Sequence, residues 1–190
     1  MDEVNLSESL TKAKEVKSFL AEKYGLNIGI CYQCGKCAAG CPAADKMDYN
    51  SREIINLLKL GLFDQALRAK SVWYCASCDT CSTRCPRNVD PAAVMEAIHM
   101  EAKQRGIIAD KPVDVFNSAF LKSVKSNGRV HEMSLMIKYN LITGKLLKDA
   151  DYAPLMFFKG KLAVFPHKIK ARQEMKEIFA RCHELEVKGE

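Results

Sequence analysis

Two short stretches hold eight of the nine cysteines and constrain the fold of this chain more than any other feature. The first is CYQCGKCAAGCP, residues 31 to 42, and the second is CASCDTCSTRCP, residues 75 to 86. Each has the form C-x2-C-x2-C-x3-C-P, and each cysteine of the first lies 44 residues before its counterpart in the second. Beyond the cysteines and prolines the copies share little. The repeat therefore preserves the spacing of the thiols, which indicates that ligand geometry is what recurs.

The composition and the first 16 residues favour a protein of a reducing compartment. No apolar run reaches the roughly 18 residues that span a bilayer, and residues 1 to 16 lack the basic and apolar regions of a signal peptide. We therefore expect a cytoplasmic protein without a membrane span. Disulfides are rare where thiols are kept reduced, so grouped cysteines there are more often metal ligands or redox groups.

The net charge of +6 is counted with neutral cysteines. Thiolates bound to metal would offset much of it, because their own negative charge then counts. The sequence has no stripe of Arg and Lys interleaved with aromatic residues and no nucleic-acid-binding motif. We therefore expect no nucleic-acid partner.

Three kinds of site use closely spaced cysteines. Zinc sites usually take pairs of cysteines separated by a longer loop, and disulfides conflict with the expected compartment. The third kind is a [4Fe–4S] cluster, for which C-x2-C-x2-C-x3-C-P is the bacterial ferredoxin run. Two complete copies predict two [4Fe–4S] clusters.

The spacing predicts that each run supplies three ligands to one cluster and one ligand to the other. A short loop can reach three corners of a cubane, and in two-cluster ferredoxins the last cysteine of a run binds the other cluster. Proline after that cysteine disfavours helical geometry there and favours an extended exit. The first cluster is then expected on Cys31, Cys34, Cys37 and Cys85, and the second on Cys75, Cys78, Cys81 and Cys41.

This complete thiolate ligation predicts electron relay, because no iron keeps an open position for substrate. The sequence has no G-x-G-x-x-G, P-loop or nucleophile motif, so we expect no catalytic residue. Cys182 is expected to be a free thiol on a helix, and Trp73 and Tyr74 to shield a cluster or to pack in the core. The four histidines are expected to be structural or exposed rather than ligands: His99, His131, His167 and His183.

Outside the runs the apolar pattern is helical. Residues 5–24 form one predicted helix that ends at Gly25. Two short helices follow in 51–69, with Ser51 as cap and a break at Gly61. A further helix starts with Asp90 as cap and Pro91 in its first turn, and ends at Gly106. The last predicted helices are 112–126, 131–142 and 168–186.

The segment YAPLMFFKGKLAVFP, residues 152–166, is apolar and is interrupted by proline and glycine. Two interpretations remain open. It packs back on its own domain as a loop, or it is an arm that docks on a partner chain.

The motifs resemble a known domain. The runs, with MDYNSREIINLLKLGLFDQALRAKSVWY between them, are similar to the α-helical ferredoxin domain, which also occurs in succinate dehydrogenase and fumarate reductase. A narrower resemblance is to the C subunit of the soluble heterodisulfide reductase of methanogens. It rests on SVWYCASCDTCSTRCPRNVD, AVMEAIHMEAKQRG and the tail NGRVHEMSLMIKYNLITGKLLKDADYAPLMFFKGKL. Residues 1–30 contain no cysteine, whereas the iron–sulfur subunit of succinate dehydrogenase has a further set of cysteines before the two runs. The chain also has no adjacent cysteine pair, whereas glycolate- and lactate-oxidising relatives often have one in a fused domain.

The resemblance implies a mostly α protein in three parts. These are an N-terminal helix in 1–30, an α-helical ferredoxin core with two [4Fe–4S] clusters in 31–110, and a helical extension with a docking arm in 111–190. In that family the flavin-containing A subunit bifurcates electron pairs that come from a hydrogenase or a formate dehydrogenase. One branch passes through the C subunit to the catalytic B subunit. The non-cubane clusters of the B subunit reduce the mixed disulfide of coenzymes M and B in methanogenesis.

Two alternative functions remain open. The chain is an electron-relay subunit of another oxidoreductase, either quinone-linked or sulfur-metabolising. Or it is an adaptor, stabilised by zinc or by clusters, that only brings partners together.

Overall fold

The computed structural model describes residues 6–144, 159 and 169–188. Within these residues the regular structure is helical and no strand is present, so the predicted mostly α fold class is confirmed. None of these helices combines the length and the apolar character needed to cross a bilayer. The chain divides into two compact units, Met1–Asp110 and Lys111–Glu190. The division into 1–30, 31–110 and 111–190 stays a prediction.

The first unit contains seven α-helices and two short 3-10 helices, at Ile28–Ile30 and Ala44–Lys46, in its described part. The α-helices are α1 (Leu6–Tyr24), α2 (Lys36–Ala39), α3 (Ser51–Lys59), α4 (Phe63–Leu67), α5 (Ser71–Tyr74), α6 (Thr80–Thr83) and α7 (Pro91–Gln104). Three of them (α2, α5 and α6) are single turns.

Helix α3 begins at a capping box. Asn50 Oδ1 accepts a hydrogen bond from the N–H of Glu53 at 3.1 Å, and Glu53 Oε2 accepts one from the N–H of Asn50 at 2.9 Å. The prediction that Ser51 caps this helix was wrong. Ser51 is the first helical residue and is buried, because the glutamate of the box lies three residues after Asn50 and not after Ser51.

Helix α7 has the predicted ends. Asp90 Oδ1 accepts from the N–H of Ala93 at 3.1 Å, and Pro91 occupies the first turn. Gly106 follows the helix with a φ of 69°. Ser82 on α6 also donates to Asp90 Oδ1, at 2.5 Å. The cap thus holds the end of the second cysteine run against α7.

The core of the first unit lies among α1, α3, α4 and α7. Its fully buried apolar side chains include Leu20, Ile54, Ile55, Leu58, Leu67, Val94, Met95 and Ile98. Gly61, between α3 and α4, lies directly under α1. A Cβ atom there would lie 2.6 Å from the carbonyl oxygen of Ser9 and 2.7 Å from the amide nitrogen of Ala13. Glycine is therefore required for α1 to pack this closely.

A buried carboxylate joins the end of α1 to α7. Glu101 Oε1 lies 2.5 Å from Lys23 Nζ and accepts from the Tyr24 hydroxyl at 2.7 Å. Arg105 reaches Glu101 Oε2 at 3.3 Å. Burial raises the pKa of Glu101, but the hydrogen bonds from Lys23 and Tyr24 and the charges of Lys23 and Arg105 outweigh it. The net pKa is below the ordinary value.

The described part of the second unit is built from α8 (Lys111–Asn127), α9 (Glu132–Thr143) and α10 (Arg172–Lys188). The rings of Phe116 and Tyr139 meet edge to face at 5.9 Å and join α8 to α9. The side chain of His131 caps α9, and the backbone N–H of His131 donates to Ser123 Oγ. Ala119 and Leu135 are the buried apolar side chains among the described residues of this unit, so its packing is thinner than that of the first unit.

Candidate cluster-binding site

Two neighbouring cavities gather the eight cysteines of the runs. Both cavities open to solvent. Counted with that open space, the first cavity has a volume of about 340 Å³ and the second cavity about 400 Å³. The thiols of the first cavity are Cys31, Cys34, Cys37 and Cys85. The thiols of the second cavity are Cys75, Cys78, Cys81 and Cys41. Each cavity thus receives three cysteines from one run and the last cysteine of the other, and that each set holds one cluster stays a prediction.

The backbone of the first run is repeated in the second. Gln33 and Ser77 have φ values of 62° and 46°, and Gly35 and Asp79 have 82° and 57°. These residues with left-handed backbone lie on either side of the second cysteine of each run, and the two pairs are 44 residues apart. The first cysteines also match, with φ and ψ of −68° and 120° at Cys31 and −64° and 121° at Cys75. The loop shape therefore recurs even where the side chains differ.

The cavity walls are related by the same internal repeat. At the offset of 44, Pro86 and Arg87 in the first cavity correspond to Pro42 and Ala43 in the second. The caps of α3 and α7, Asn50 and Asp90, lie 40 residues apart. At that second offset, Arg52, Ile55 and Pro91 of the first cavity correspond to Ala92, Met95 and Ser51 of the second. Each helix therefore contributes to both cavities, in exchanged roles.

Asp48 fixes the approach to the second run. Its carboxylate accepts hydrogen bonds from the N–H groups of Lys70 and Ser71, both at 2.9 Å, and from the Ser71 hydroxyl. These groups start α5, which leads directly into Cys75. Burial raises the pKa of Asp48, but the Ser71 hydroxyl and three backbone N–H groups bring it below its ordinary value. The carboxylate therefore remains charged and ties the two runs together.

Lys59 and Arg84 support the loops from outside the cavities. Lys59, at the end of α3, donates to the carbonyl oxygen of Cys31 at 2.6 Å. The Arg84 side chain covers Gly40 so closely that a Cβ there would collide with the guanidinium group. The end of the second run thus lies against the end of the first.

The second cysteine of each run, Cys34 or Cys78, is exposed and has a hydroxyl neighbour. The N–H of Lys36 and the Tyr32 hydroxyl lower the pKa of the Cys34 thiol. The Thr80 hydroxyl, 3.4 Å from Cys78 Sγ, lowers the pKa of Cys78. Burial instead raises the pKa values of two thiols deeper in the second cavity, Cys75 and Cys81. Each cavity therefore presents one polarised thiol to the surface.

The donor set suits a multi-iron core. In the ranges that the structure describes, no three His, Cys, Asp or Glu side chains converge closely enough to bind a single metal ion. The thiols surround the cavities instead, as a core requires when each of its irons binds one thiolate. Ser51 Oγ is buried in the wall of the second cavity and has no hydrogen-bond partner there. The sulfur of a bound cluster would satisfy this hydroxyl.

Of the other residues singled out in the sequence, Trp73, Tyr74 and His99 belong to the first unit and line neither cavity. Trp73 is buried and packs edge-on against His99, with ring centroids 4.5 Å apart. The Tyr74 hydroxyl donates to Asp110 at 2.7 Å. Cys182 is exposed on α10, which also carries His183. His167 lies outside the described residues, as does the segment 152–166 apart from Lys159.

Sequence reasoning missed several cavity residues: Tyr32, Ser51, Arg52 and Arg87. Tyr32 follows the first cysteine of the site directly and Arg87 lies two residues after the last one, so their positions beside the runs were a usable signal. Arg52 and Ser51 reach the cavities only because α3 packs against both runs, and no local pattern indicates that.

Known families give a consistent assignment. The 4Fe-4S dicluster domain matches residues 27–89. The CoB–CoM heterodisulfide reductase iron-sulfur C subunit numbered 2 of Methanocaldococcus jannaschii is 31% identical over 135 residues, which are 70% of this chain and 72% of that protein. The C2 subunit of the H(2)/formate:CoB-CoM heterodisulfide,ferredoxin reductase of Methanococcus maripaludis is 36% identical over 143 residues, 74% and 71% of the two chains.

A third relative is similar over a shorter stretch. It is the CoB–CoM heterodisulfide reductase iron-sulfur C subunit of Methanopyrus kandleri, 35% identical over 94 residues, 50% of this chain and 49% of that protein. The dicluster domain and these relatives identify the cofactors of the α-helical ferredoxin core as two [4Fe–4S] clusters. The chain belongs to the family of heterodisulfide reductase iron–sulfur C subunits.

Proposed function

We propose that this chain is the electron-relay subunit of a heterodisulfide reductase complex and contains no substrate site of its own. The observation that supports this most is the pair of adjacent cavities, each surrounded by four thiols drawn from both runs. Thiolates at every iron would leave no position for a substrate. A [4Fe–4S] cluster in each cavity supplies reversible one-electron chemistry.

The protein contributes ligands, shielding and two separate edges. Cys31, Cys34, Cys37 and Cys85 are proposed to hold one cluster, and Cys75, Cys78, Cys81 and Cys41 the other. Apolar wall residues such as Ile55 and Met95 exclude water from the inner sides, whereas Cys34 and Cys78 lie exposed. Each cavity therefore has one exposed thiol that a donor or acceptor protein can approach.

The proposed partners follow from the names of the relatives and from the family resemblance. A flavin-containing A subunit supplies electrons by bifurcation, and a catalytic B subunit with non-cubane clusters reduces the coenzyme M–coenzyme B heterodisulfide. A hydrogenase or formate dehydrogenase feeds the larger complex. The thiol-rich composition supports a reducing compartment, and we place the complex in the cytoplasm.

Metal analysis and spectroscopy test the relay. Anaerobic full-length protein should contain about eight irons and equal sulfide, four for each cluster, and its reduced form should give the EPR spectrum of two coupled clusters. Stoichiometric zinc with no EPR signal would instead support the scaffolding adaptor. Co-purification from the native source then tests the complex. A membrane quinone-reducing partner, in place of a flavoprotein and a protein with non-cubane clusters, would contradict it.

Ligand variants test the crossed assignment. Cys85→Ser should damage the cluster that shares Cys31, Cys34 and Cys37, although Cys85 belongs to the second run. Cys81→Ser, in the same run, is the matched control and should damage the other cluster. If both serine variants altered the same EPR signal, each run would hold its own cluster and the crossed ligation would be wrong.

A further inference from the structure

Three of the paired positions make the wall of the first cavity more polar than that of the second. The internal repeat pairs Tyr32 with Ala76 and Arg87 with Ala43 at the offset of 44, and Arg52 with Ala92 at the offset of 40. All six residues line their cavities. At each position the first cavity has a polar or cationic side chain where the second has alanine.

The difference in charge is large because the wall of the first cavity has two guanidinium groups, those of Arg52 and Arg87. Among the described residues, the wall of the second cavity contains no ionisable side chain besides its cysteines. Glu53 lies 3.5 Å from Arg52 and offsets part of its charge. Arg87 is therefore the larger contributor to the difference.

Hydrogen bonds to sulfur do not cancel this difference. The hydroxyls of Tyr32 and Thr80 serve equivalent thiols, Cys34 and Cys78, so their effects on the two sites are similar. Three hydroxyls favour the second cavity, those of Ser51, of Ser77 beside Cys75 and of Ser82 beside Cys81. Gln33 Nε2 donates to Cys31 Sγ at 3.5 Å and favours the first cavity. All four donors are neutral. The two guanidinium charges in the wall of the first cavity outweigh these hydrogen bonds, since hydrogen bonds from neutral donors are weaker than full charge pairs at short range.

We propose that Arg87 and Arg52 make the first cavity the site of higher reduction potential, so that electrons move from the second cavity to the first. Reduction adds one negative charge to a cluster, and a nearby cation stabilises that charge. One electron leaves the cluster of the second cavity, which is oxidised, and enters that of the first, which is reduced. A reduced flavin, or dithionite in the laboratory, supplies the electron.

This order assigns the two edges, and it rests on the crossed ligation of the proposed function. The electron donor contacts the exposed edge at Cys78 and the electron acceptor contacts the edge at Cys34. In the proposed complex the flavin-containing partner therefore faces the second cavity and the disulfide-reducing partner faces the first.

A redox titration of the full-length, cluster-loaded protein, followed by EPR, tests the proposal. The wild type should show two one-electron steps, and the Cys34→Ser variant identifies the step of the first cavity. Arg87→Ala should lower that step alone, by about tenfold in the ratio of reduced to oxidised cluster, which equals about 59 mV for one electron. Ala43→Arg should raise the other step by a similar amount.

Arg68→Ala is the matched control. Arg68 is exposed at the end of α4 and lines neither cluster cavity, so its loss removes the same charge at a distance. Equal shifts in Arg87→Ala and Arg68→Ala, or a higher-potential step in the second cavity of the wild type, would overturn the proposal. Iron and sulfide content separates this failure from that of the proposed function, because a chain without two clusters fails the latter before any titration.

Discussion

Replacing Gly61 by alanine should destabilise the first unit by about 3 kcal/mol, from two separable effects. The first effect is steric. The new Cβ would lie 2.6 Å from the carbonyl oxygen of Ser9, and an ordinary contact of about 3.4 Å requires α1 to move by roughly 0.8 Å. A gap of that size removes about a quarter or more of the local dispersion attraction.

The side chains that α1 buries set the size of this loss. Ala13, Val16 and Leu20 are buried in the interface, and together they contribute about 6 kcal/mol. A quarter of that is about 1.5 kcal/mol. The second effect is conformational, because the φ of 75° at residue 61 costs an alanine about 1–2 kcal/mol. The sum is about 3 kcal/mol.

Gly25→Ala is the matched control. Gly25 has a φ of 68°, but nothing lies within 4 Å of the position that a Cβ atom would take there, so only the conformational cost of about 1–2 kcal/mol applies. Anaerobic denaturant titration of the loaded protein, read by far-UV circular dichroism, compares the two variants. Equal losses of stability in both would refute the argument that α1 packs on Gly61 at close range.

Three further predictions concern the loops and the core. Asp79→Gly should stabilise the protein by about 1 kcal/mol, because glycine adopts the φ of 57° without strain, and its denaturation midpoint should rise. Asp48→Asn should cost about 1–2 kcal/mol, because one oxygen that accepts a backbone N–H is lost. The visible absorbance of the cluster in the second cavity should also be lost faster in this variant, and earlier than that of the cluster in the first cavity. The pKa of Glu101 is depressed on folding, so its contribution is complete above the ordinary value of 4.5 and is lost as pH falls through the lower folded pKa. The denaturation midpoint of Glu101→Gln, measured against pH, should therefore lack the decline of the wild type in that acidic range.

Much of the fold follows from local chemistry. The cap at Asp90, the proline after it and the glycines at positions 25, 61 and 106 mark helix ends that the structure reproduces. The single-turn helices α2, α5 and α6 could not be predicted, because four residues are too few to show a helical period. The error at Ser51 is of another kind. Asn50 with Glu53 was the better capping box, and the sequence contained that signal.

The candidate site divides in the same way. The spacing of the cysteines carries the information about ligands, because each run is short and local. The left-handed residues Gln33 and Ser77 were not foreseeable, since neither is a residue type that prefers positive φ. The contrast between Arg52 and Ala92 depends on helices that pack against both runs. This contrast is recognised only when the helices that line the two cavities are compared in the structure.

The exchange of Cys41 and Cys85 between the cavities has a consequence for assembly. In the proposed ligation neither run supplies all four ligands of a cluster. The first cluster to be inserted therefore also orders the run that supplies most ligands of the second cluster. Loading should then be cooperative, as in any pair of coupled binding equilibria. Under iron limitation such a chain would contain either no cluster or both clusters. The form with one cluster, which could accept an electron but not pass it on, would be scarce.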